Sequence, residues 1–166
     1  MAWQRILCPI DIHDPSAEAL RSASELCRNA SADLYVLHSI EDFIAPGMAQ
    51  QLTFLHGKPR FEYQAIRKKI KQLLQQHTHP SLTAHILVDR GDAAGQILKE
   101  AERRSIDLIV LARRKRGIIE EMLFHSVADV TLRNAPCPVL LLQREEHEAN
   151  NNPNQPVHYK HHTANR

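Results

Sequence analysis

Short apolar runs alternate with amphipathic segments along most of this chain. The apolar runs, four to eight residues long, are typical of buried strands, and we predict strands at 5–11, 33–40, 82–89, 106–112 and 139–143. The segments between them repeat apolar residues every three or four positions, which predicts helices that each lay one stripe on a core. The pattern therefore predicts an alternation of strand and helix.

Capping residues stand where three of these helices should begin. Asp14 precedes Pro15, an N-cap carboxylate followed by proline at the first helical position. Asp92 can cap the helix that follows the third strand. Ser126 and Asp129 have the spacing of a capping box, which predicts a last helix ending near Asn134.

Two segments lack the pattern. Residues 43–60 carry proline and glycine pairs and are predicted as a loop, with a helical turn as an alternative for part of it. After Arg144 the chain is polar and rich in asparagine and histidine, which is typical of a disordered tail. We therefore divide the chain into one domain over residues 1–144 and a tail over 145–166.

Strands that alternate with helices form right-handed crossovers and hence a parallel sheet covered on both faces. The expected fold is thus a doubly wound α/β domain with five parallel strands. In such sheets ligands bind beyond the carboxyl ends of the strands, where the strand order reverses. We expect the first and fourth strands to flank that crevice, which directs attention to the residues after Pro9 and after Leu111.

Composition narrows the class of protein. With 43% hydrophobic and 24% charged residues in a chain of 166, a single globular core is expected. The formal net charge of +2 is too small for the whole molecule to be a polyanion binder. No apolar run approaches the roughly 18 residues of a membrane span, and no leader pattern opens the chain, so we expect neither a membrane protein nor a secreted precursor. Three widely spaced cysteines fit the reducing cytoplasm.

Several motifs, in this order and spacing, resemble the universal stress protein family over residues 3–143. They are Ile6-Leu-Cys-Pro-Ile-Asp11, Leu37-His38, Asp89-Arg-Gly91-Asp-Ala, Asp107-Leu-Ile-Val-Leu111, His125-Ser-Val-Ala and Asn134-Ala-Pro-Cys-Pro-Val139. The resemblance implies a Rossmann-like, five-stranded domain of the adenine nucleotide α-hydrolase-like type. It also implies a homodimer formed through the last strand, here Val139, Leu140, Leu141 and Leu142. An exposed apolar edge strand would favour the same pairing.

One branch of that family binds ATP, and its members resemble one another in a glycine pattern after the fourth strand. The pattern is glycine, two residues, glycine, nine residues, then glycine with serine or threonine. Its positions fall here on Ala112, Lys115, His125 and Ser126, followed by Val127, so all three glycines are replaced. Glycine matters there because phosphate oxygens must approach backbone N–H groups that a Cβ obstructs. The substitutions favour the branch that does not retain ATP.

Arginine side chains offer an alternative to that glycine cradle. Arg113, Arg114, Lys115 and Arg116 follow the fourth strand, and guanidinium groups bind phosphate without backbone help. ATP or AMP is then the alternative cofactor, and slow ATP hydrolysis the alternative activity. The simpler interpretation is a solvated turn. A further alternative is an anion or RNA surface that joins this loop to the basic face 67–71, although no aromatic platform accompanies either patch.

The remaining candidates lie at the other side of the predicted crevice. Pro9, Asp11 and Ser39 match positions of the family's adenine pocket, and an Asp11 that caps its own turn is an equal alternative. His38 lies in a strand among apolar neighbours and is expected to be a buried, hydrogen-bonded, neutral histidine. We find no metal-binding motif and no catalytic constellation. The favoured hypothesis is a cytoplasmic, non-catalytic stress-response protein that acts as an interaction module, without a cofactor.

Overall fold

The computed structural model describes residues 2–13, 17–41, 59–113 and 127–143, with the backbone alone at 59–61, 113 and 143. Strands and helices alternate throughout these ranges, as the hydrophobic pattern predicts. They are β1 (Arg5–Pro9), α1 (Ala17–Ala30), β2 (Asp33–Ile40), α2 (Pro59–His77), β3 (Ala84–Arg90), α3 (Ala93–Arg103), β4 (Leu108–Arg113), α4 (Val127–Asn134) and β5 (Val139–Gln143).

The five strands form one parallel sheet in the order β3-β2-β1-β4-β5. From β1, the next two strands, β2 and β3, are added on one side. The chain then crosses back over β1 and adds β4 and β5 on the other side. This reversal between β1 and β4 is the topological switch point of a doubly wound fold. The predicted fold class is confirmed, and the strand order reverses between the first and fourth strands, as predicted.

The core has two layers, one on each face of the sheet. On β1, Ile6 and Cys8 join the layer beneath α1 and α2, whereas Leu7 joins the layer beneath α3 and α4. All three side chains are fully buried. Each large apolar side chain removed from water in this way stabilises the fold by about 1.5–3 kcal/mol. Because both faces are covered, the inner strands are continuous apolar runs.

Asp107 aligns the two central strands at their amino ends. Its Oδ2 accepts a hydrogen bond from the Gln4 backbone N–H at 2.7 Å, and its Oδ1 accepts one from the Arg5 N–H at 3.1 Å. These donors precede and begin β1, while Asp107 immediately precedes β4. One carboxylate therefore fixes the start of both strands that flank the crevice.

One predicted boundary is wrong. The sequence pattern assigned residues 43–60 to a loop, but α2 begins at Pro59 and Arg60 is helical. Proline is well suited to a first helical turn, because its missing N–H would have no partner there and its φ is already helical. Residues 42–58 lie outside the described part of the chain. The other elements begin and end within two residues of their predicted bounds.

The two edges of the sheet differ in how they are covered. At β3, the Arg67 side chain on α2 reaches over the edge, and its Nη1 donates to the Ile86 carbonyl at 3.0 Å. A charged side chain of this kind blocks the addition of another strand. At β5, no comparable contact to the outer edge is found within residues 127–143 or the other described ranges.

Candidate functional site

The crevice predicted from the topology lies beyond Pro9 at the end of β1 and Ala112 near the end of β4. Ile6 and Leu7 pair with Leu108 and Ile109, so the two strands run side by side toward it. The chain then diverges, because β1 is followed by α1 on one face and β4 leads toward α4 on the other. This divergence opens the space in which ligands bind in doubly wound folds.

Asp11 is exposed, two residues beyond β1. Its Oδ1 accepts a hydrogen bond from the His13 backbone N–H at 2.9 Å, which is the Asx-turn geometry of a residue that caps its own turn. The local interpretation of Asp11 is thus borne out by the geometry. Among the described residues, no donor contacts its second oxygen, Oδ2.

The Ser39 hydroxyl is also engaged in a hydrogen bond within the protein. It donates to the Gly91 carbonyl at 2.6 Å, and the Gly91 N–H donates to the Ile40 carbonyl at 2.9 Å. Gly91 has a φ of +135°, a conformation that glycine adopts without strain. Ser39 therefore closes the turn after β3 and does not leave a hydroxyl proton for a ligand.

His38 is buried, as predicted, with 8% of its surface exposed. Its Nδ1 lies 3.1 Å from the Ile10 carbonyl, which can only accept, so Nδ1 carries the proton. Ile10 in turn donates its N–H to the Leu37 carbonyl at 2.8 Å. These two bonds hold the backbone just before Asp11, so His38 positions the mouth of the crevice from inside the core.

The first of the three replaced glycine positions, Ala112, lies within β4. It pairs with Leu142 and its methyl group packs against the core layer beneath α1 and α2. Arg113 pairs with Gln143 through the backbone. The other candidates of this loop, Arg114, Lys115, Arg116, His125 and Ser126, lie outside the described residues. Val127 begins α4 and is 38% exposed.

Carboxylates collect at the described part of the crevice edge. The Asp92 Oδ2 accepts from the Gly95 N–H at 2.7 Å, as predicted for the cap of α3, and the Glu41 Oε1 accepts from the Ala93 N–H at 3.2 Å. Sequence reasoning missed Glu41, which follows β2 directly. Helix N-termini attract anions, and here two carboxylates already occupy that of α3. With Asp11, they place three carboxylates along the carboxyl edge of the sheet, beyond β1, β2 and β3.

The basic face of α2 is smaller than its sequence indicates. Lys68, Lys69 and Lys71 are exposed, but Arg67 is engaged at the edge of β3 and Arg90 beside it pairs with Glu62 at 2.6 Å. The hypothesis of an RNA surface on residues 67–71 therefore loses one of its cations to a structural role.

A buried ion cluster at the end of α3 was not predicted. Glu100 is 1% exposed and binds Arg103 at 2.9 Å and Arg104 at 2.6 Å. Burial raises the pKa of the Glu100 carboxyl, but the hydrogen bonds and charges of the two arginines outweigh it, so the net shift is downward. Arg104 also lies over the Tyr35 ring, at 5.5 Å from its centroid, and Tyr35 stacks on His85. The sequence signal for this cluster is the spacing of Glu100, Arg103 and Arg104 at i, i+3 and i+4, which places both arginines beside the glutamate on one helix face.

The cysteines are packing residues. Cys8, Cys27 and Cys137 are all free, and burial raises the pKa of the first two to about 12 and of Cys137 to about 11. Such thiols are poor nucleophiles. Within the described ranges, no three histidine, cysteine or carboxylate side chains come together as a metal would require. None of the four described helices combines the length and apolarity needed to cross a bilayer.

The fold and its crevice define the class: a doubly wound, Rossmann-like α/β domain with its candidate site at the switch point between β1 and β4. The model of the universal stress protein family matches residues 2–143. The chain therefore belongs to the universal stress protein family, as the sequence motifs indicate.

Individual relatives are distant. The universal stress protein MJ0531 of Methanocaldococcus jannaschii is 26% identical over 148 residues, which cover 88% of this chain and 85% of the relative. The solved structure of the hypothetical protein MJ0577 has a TM-score of 0.68 at 19% identity, over 87% of this chain and 99% of that one. A universal stress protein solved in complex with cAMP has a TM-score of 0.59 at 18% identity, over 86% and 98%. At these identities the solved structures support the fold alone.

Proposed function

We propose that this chain is a non-catalytic universal stress protein of the cytoplasm that does not retain ATP and acts as a dimeric interaction module. The observation that carries the proposal is that residues with a Cβ stand at all three glycine positions of the phosphate-binding pattern. Ala112 fills the first glycine position with a methyl group that belongs to the core, and Lys115 and His125 replace the other two glycines. A triphosphate needs N–H groups that it can approach closely.

Carboxylates along the carboxyl edge of the sheet support the same proposal. Asp11, Glu41 and Asp92 place three carboxylates at the carboxyl edge of the sheet, and the last two accept hydrogen bonds from the Ala93 and Gly95 N–H groups at the start of α3. Their field opposes a polyanion. Ser39 offers no free hydroxyl proton, because the Gly91 carbonyl accepts it. Of the candidate ATP-site positions, Ser39 binds the Gly91 carbonyl and Ala112 packs against the core, and both contacts support the proposal.

Isothermal titration with ATP and Mg²⁺ tests the proposal. We expect no saturable heat from the native protein. A triple variant, Ala112→Gly with Lys115→Gly and His125→Gly, restores the glycine pattern and is expected to gain affinity if steric access is the cause. Micromolar binding by the native protein that Asp11→Ala abolishes would overturn the proposal.

A second candidate is a nucleotide-binding switch in which Arg113, Arg114 and Arg116 hold the phosphates of ATP or AMP. It is favoured by the related protein solved with cAMP, and by the Asp11 Oδ2, which no described donor contacts. Mass spectrometry of small molecules released on denaturation separates the two candidates. A stoichiometric nucleotide, lost on charge reversal at Arg113 and Arg114, would establish the second; its absence at low salt favours the first.

The proposed dimer forms through β5. Val139, Leu140 and Leu141 are half-buried in the single chain, and among the described strands only β4 pairs with β5. Apolar edge strands with one free side pair with another copy when nothing covers them. Light scattering across a hundredfold range of protein concentration is expected to give the dimer mass, reduced to the monomer mass by Leu140→Lys. A monomer at the highest concentration would contradict this assembly.

A further inference from the structure

A polar groove lies at the opposite edge of the domain from the crevice. It runs between one face of α1 and the segment that ends α2, and its volume is about 180 Å³. Because α2 leads into β3, its end lies near the amino ends of the strands, away from Asp11 and Ser39. The lining side chains are Arg21, Ser24, Glu25, Arg28, His77 and His79. A volume of this size holds several waters or one phosphate group.

The α1 side of the groove presents two guanidinium groups that no described residue pairs with. Arg21 and Arg28 are exposed and seven residues apart, two helical turns on one face. In the described part of the chain, neither makes an ion pair or a side-chain hydrogen bond. Each guanidinium carries five N–H donors in a planar fork that matches phosphate oxygens.

Ser24 adds a buried donor between the two arginines. The residue is only 4% exposed, and its Oγ accepts a hydrogen bond from the His79 backbone N–H at 3.0 Å. No acceptor for its own hydroxyl proton occurs among the described residues. A buried hydroxyl with an unused proton loses hydrogen-bonding energy that a ligand oxygen can restore.

The ring of His79 supplies a further donor. The Ser81 backbone N–H, which can only donate, points at the His79 Nδ1 at 3.3 Å, and the Ser81 hydroxyl lies 2.8 Å from the same nitrogen. Nδ1 is therefore the acceptor of the neutral ring, and the proton sits on Nε2. The Nε2–H has no partner in the described structure.

We propose that this groove binds the phosphate group of a small molecule, either inorganic phosphate or a phosphate monoester. Two guanidinium forks, a buried hydroxyl and an imidazole N–H line one cavity, and none of these donors has an acceptor among the described residues. Glu25 is the one carboxylate among the six lining residues and weakens the site. The proposal is independent of whether the crevice binds a nucleotide.

Helix macrodipoles offer a different explanation for part of this cluster. Arg28 and His77 lie in the last turns of α1 and α2, where cations are stabilising without any ligand. Arg21 lies in the second turn of α1, outside the reach of that effect. Arg21 and the proton of Ser24 therefore distinguish a ligand site from ordinary helix capping.

Amide chemical shifts and calorimetry test the proposal on the full-length protein. Inorganic phosphate and glycerol phosphate are titrated separately at constant ionic strength, with chloride as the non-specific anion. We expect saturable shifts at Ser24 and His79 with phosphate and none with chloride. The tighter of the two phosphate ligands identifies the source of the group.

Substitutions in the groove distinguish a specific phosphate site from nonspecific electrostatic attraction of anions. Arg21→Gln is expected to weaken phosphate binding about tenfold, the value of one charge-assisted hydrogen bond. Ser24→Ala should weaken it, and Glu25→Gln should strengthen it. Lys68→Gln, an exposed cation outside the groove, is the matched control and should change nothing. Non-saturable shifts, an equal response to chloride, or unchanged affinity in Arg21→Gln would overturn the proposal.

Discussion

The buried carboxylate of Glu100 is the side chain whose substitution tests the fold most directly. Its Oε2 accepts hydrogen bonds from the Arg103 Nη2 at 2.9 Å and the Arg104 Nε at 2.6 Å. Its Oε1 lies 2.9 Å from the Arg103 Nε, and only 1% of the residue's surface remains exposed. Glu100→Gln keeps the shape of the side chain and removes the charge. It also turns an amide NH₂ toward one of two guanidinium groups, which have no acceptor to offer it.

The size of the stability loss depends on how far water can hydrate the two guanidinium groups once the carboxylate is gone. Removing one partner of a fully buried ion pair costs roughly 3–5 kcal/mol, because the other charge stays buried. Here the side chains of Arg103 and Arg104 are 58% and 29% exposed, so water replaces part of the lost interaction. We therefore expect Glu100→Gln to lower the free energy of unfolding by about 2 kcal/mol, a decrease in Tm of roughly 5–8 °C.

The dependence on pH follows from the direction of the pKa shift. The pKa of Glu100 is lowered in the folded chain from its ordinary value of 4.5. Its contribution to stability is therefore complete above that ordinary value and is lost as the pH falls through the lower pKa of the folded state. The difference between native protein and Glu100→Gln should be constant from pH 6 to 8 and shrink in acid.

Urea unfolding followed by circular dichroism measures both quantities. Glu102→Gln is the matched control, because Glu102 is an exposed residue of the same helix, and it should change stability by less than about 0.5 kcal/mol. Equal losses for the two variants would refute the reasoning. So would a Glu100→Gln penalty that persists where the native carboxyl is protonated.

The turn after β3 and the buried thiols give two further predictions. Gly91→Ala should destabilise the fold by about 1–2 kcal/mol, because the φ of Gly91 is +135° and a Cβ there would lie 2.8 Å from the Gln96 Nε2. Adding Gln96→Ala should recover only the part of this loss that the steric contact causes. Full recovery in urea unfolding would contradict the backbone strain. Cys8, Cys27 and Cys137 should resist a disulfide reagent at pH 8 until the chain unfolds. Their raised pKa values make stability fall as the pH rises above 9.0, where only the unfolded thiols ionise, and rapid labelling of native protein would contradict this.

The sequence alone determined the alternation of strands and helices, the switch point between β1 and β4, and the family. These follow from local information: apolar periodicity, capping residues such as Asp92, and motifs of a few adjacent residues. The buried state of His38 was also predictable, because its neighbours along β2 are apolar. The start of α2 at Pro59 was missed because the same residue type signals both a loop and a helix start.

The tertiary structure decided which hydrogen-bond partners the polar side chains have. Asp11 caps its own turn, whereas Ser39 binds Gly91, which is 52 residues away in sequence. Likewise, His79 and Ser24, which both line the groove, are joined by a hydrogen bond across 55 residues of sequence. Periodicity reports which face a residue occupies, but a hydrogen bond depends on atomic positions that only the packed helices and strands establish. For that reason, whether a given hydroxyl or guanidinium is already satisfied or still available to a ligand was settled by the fold.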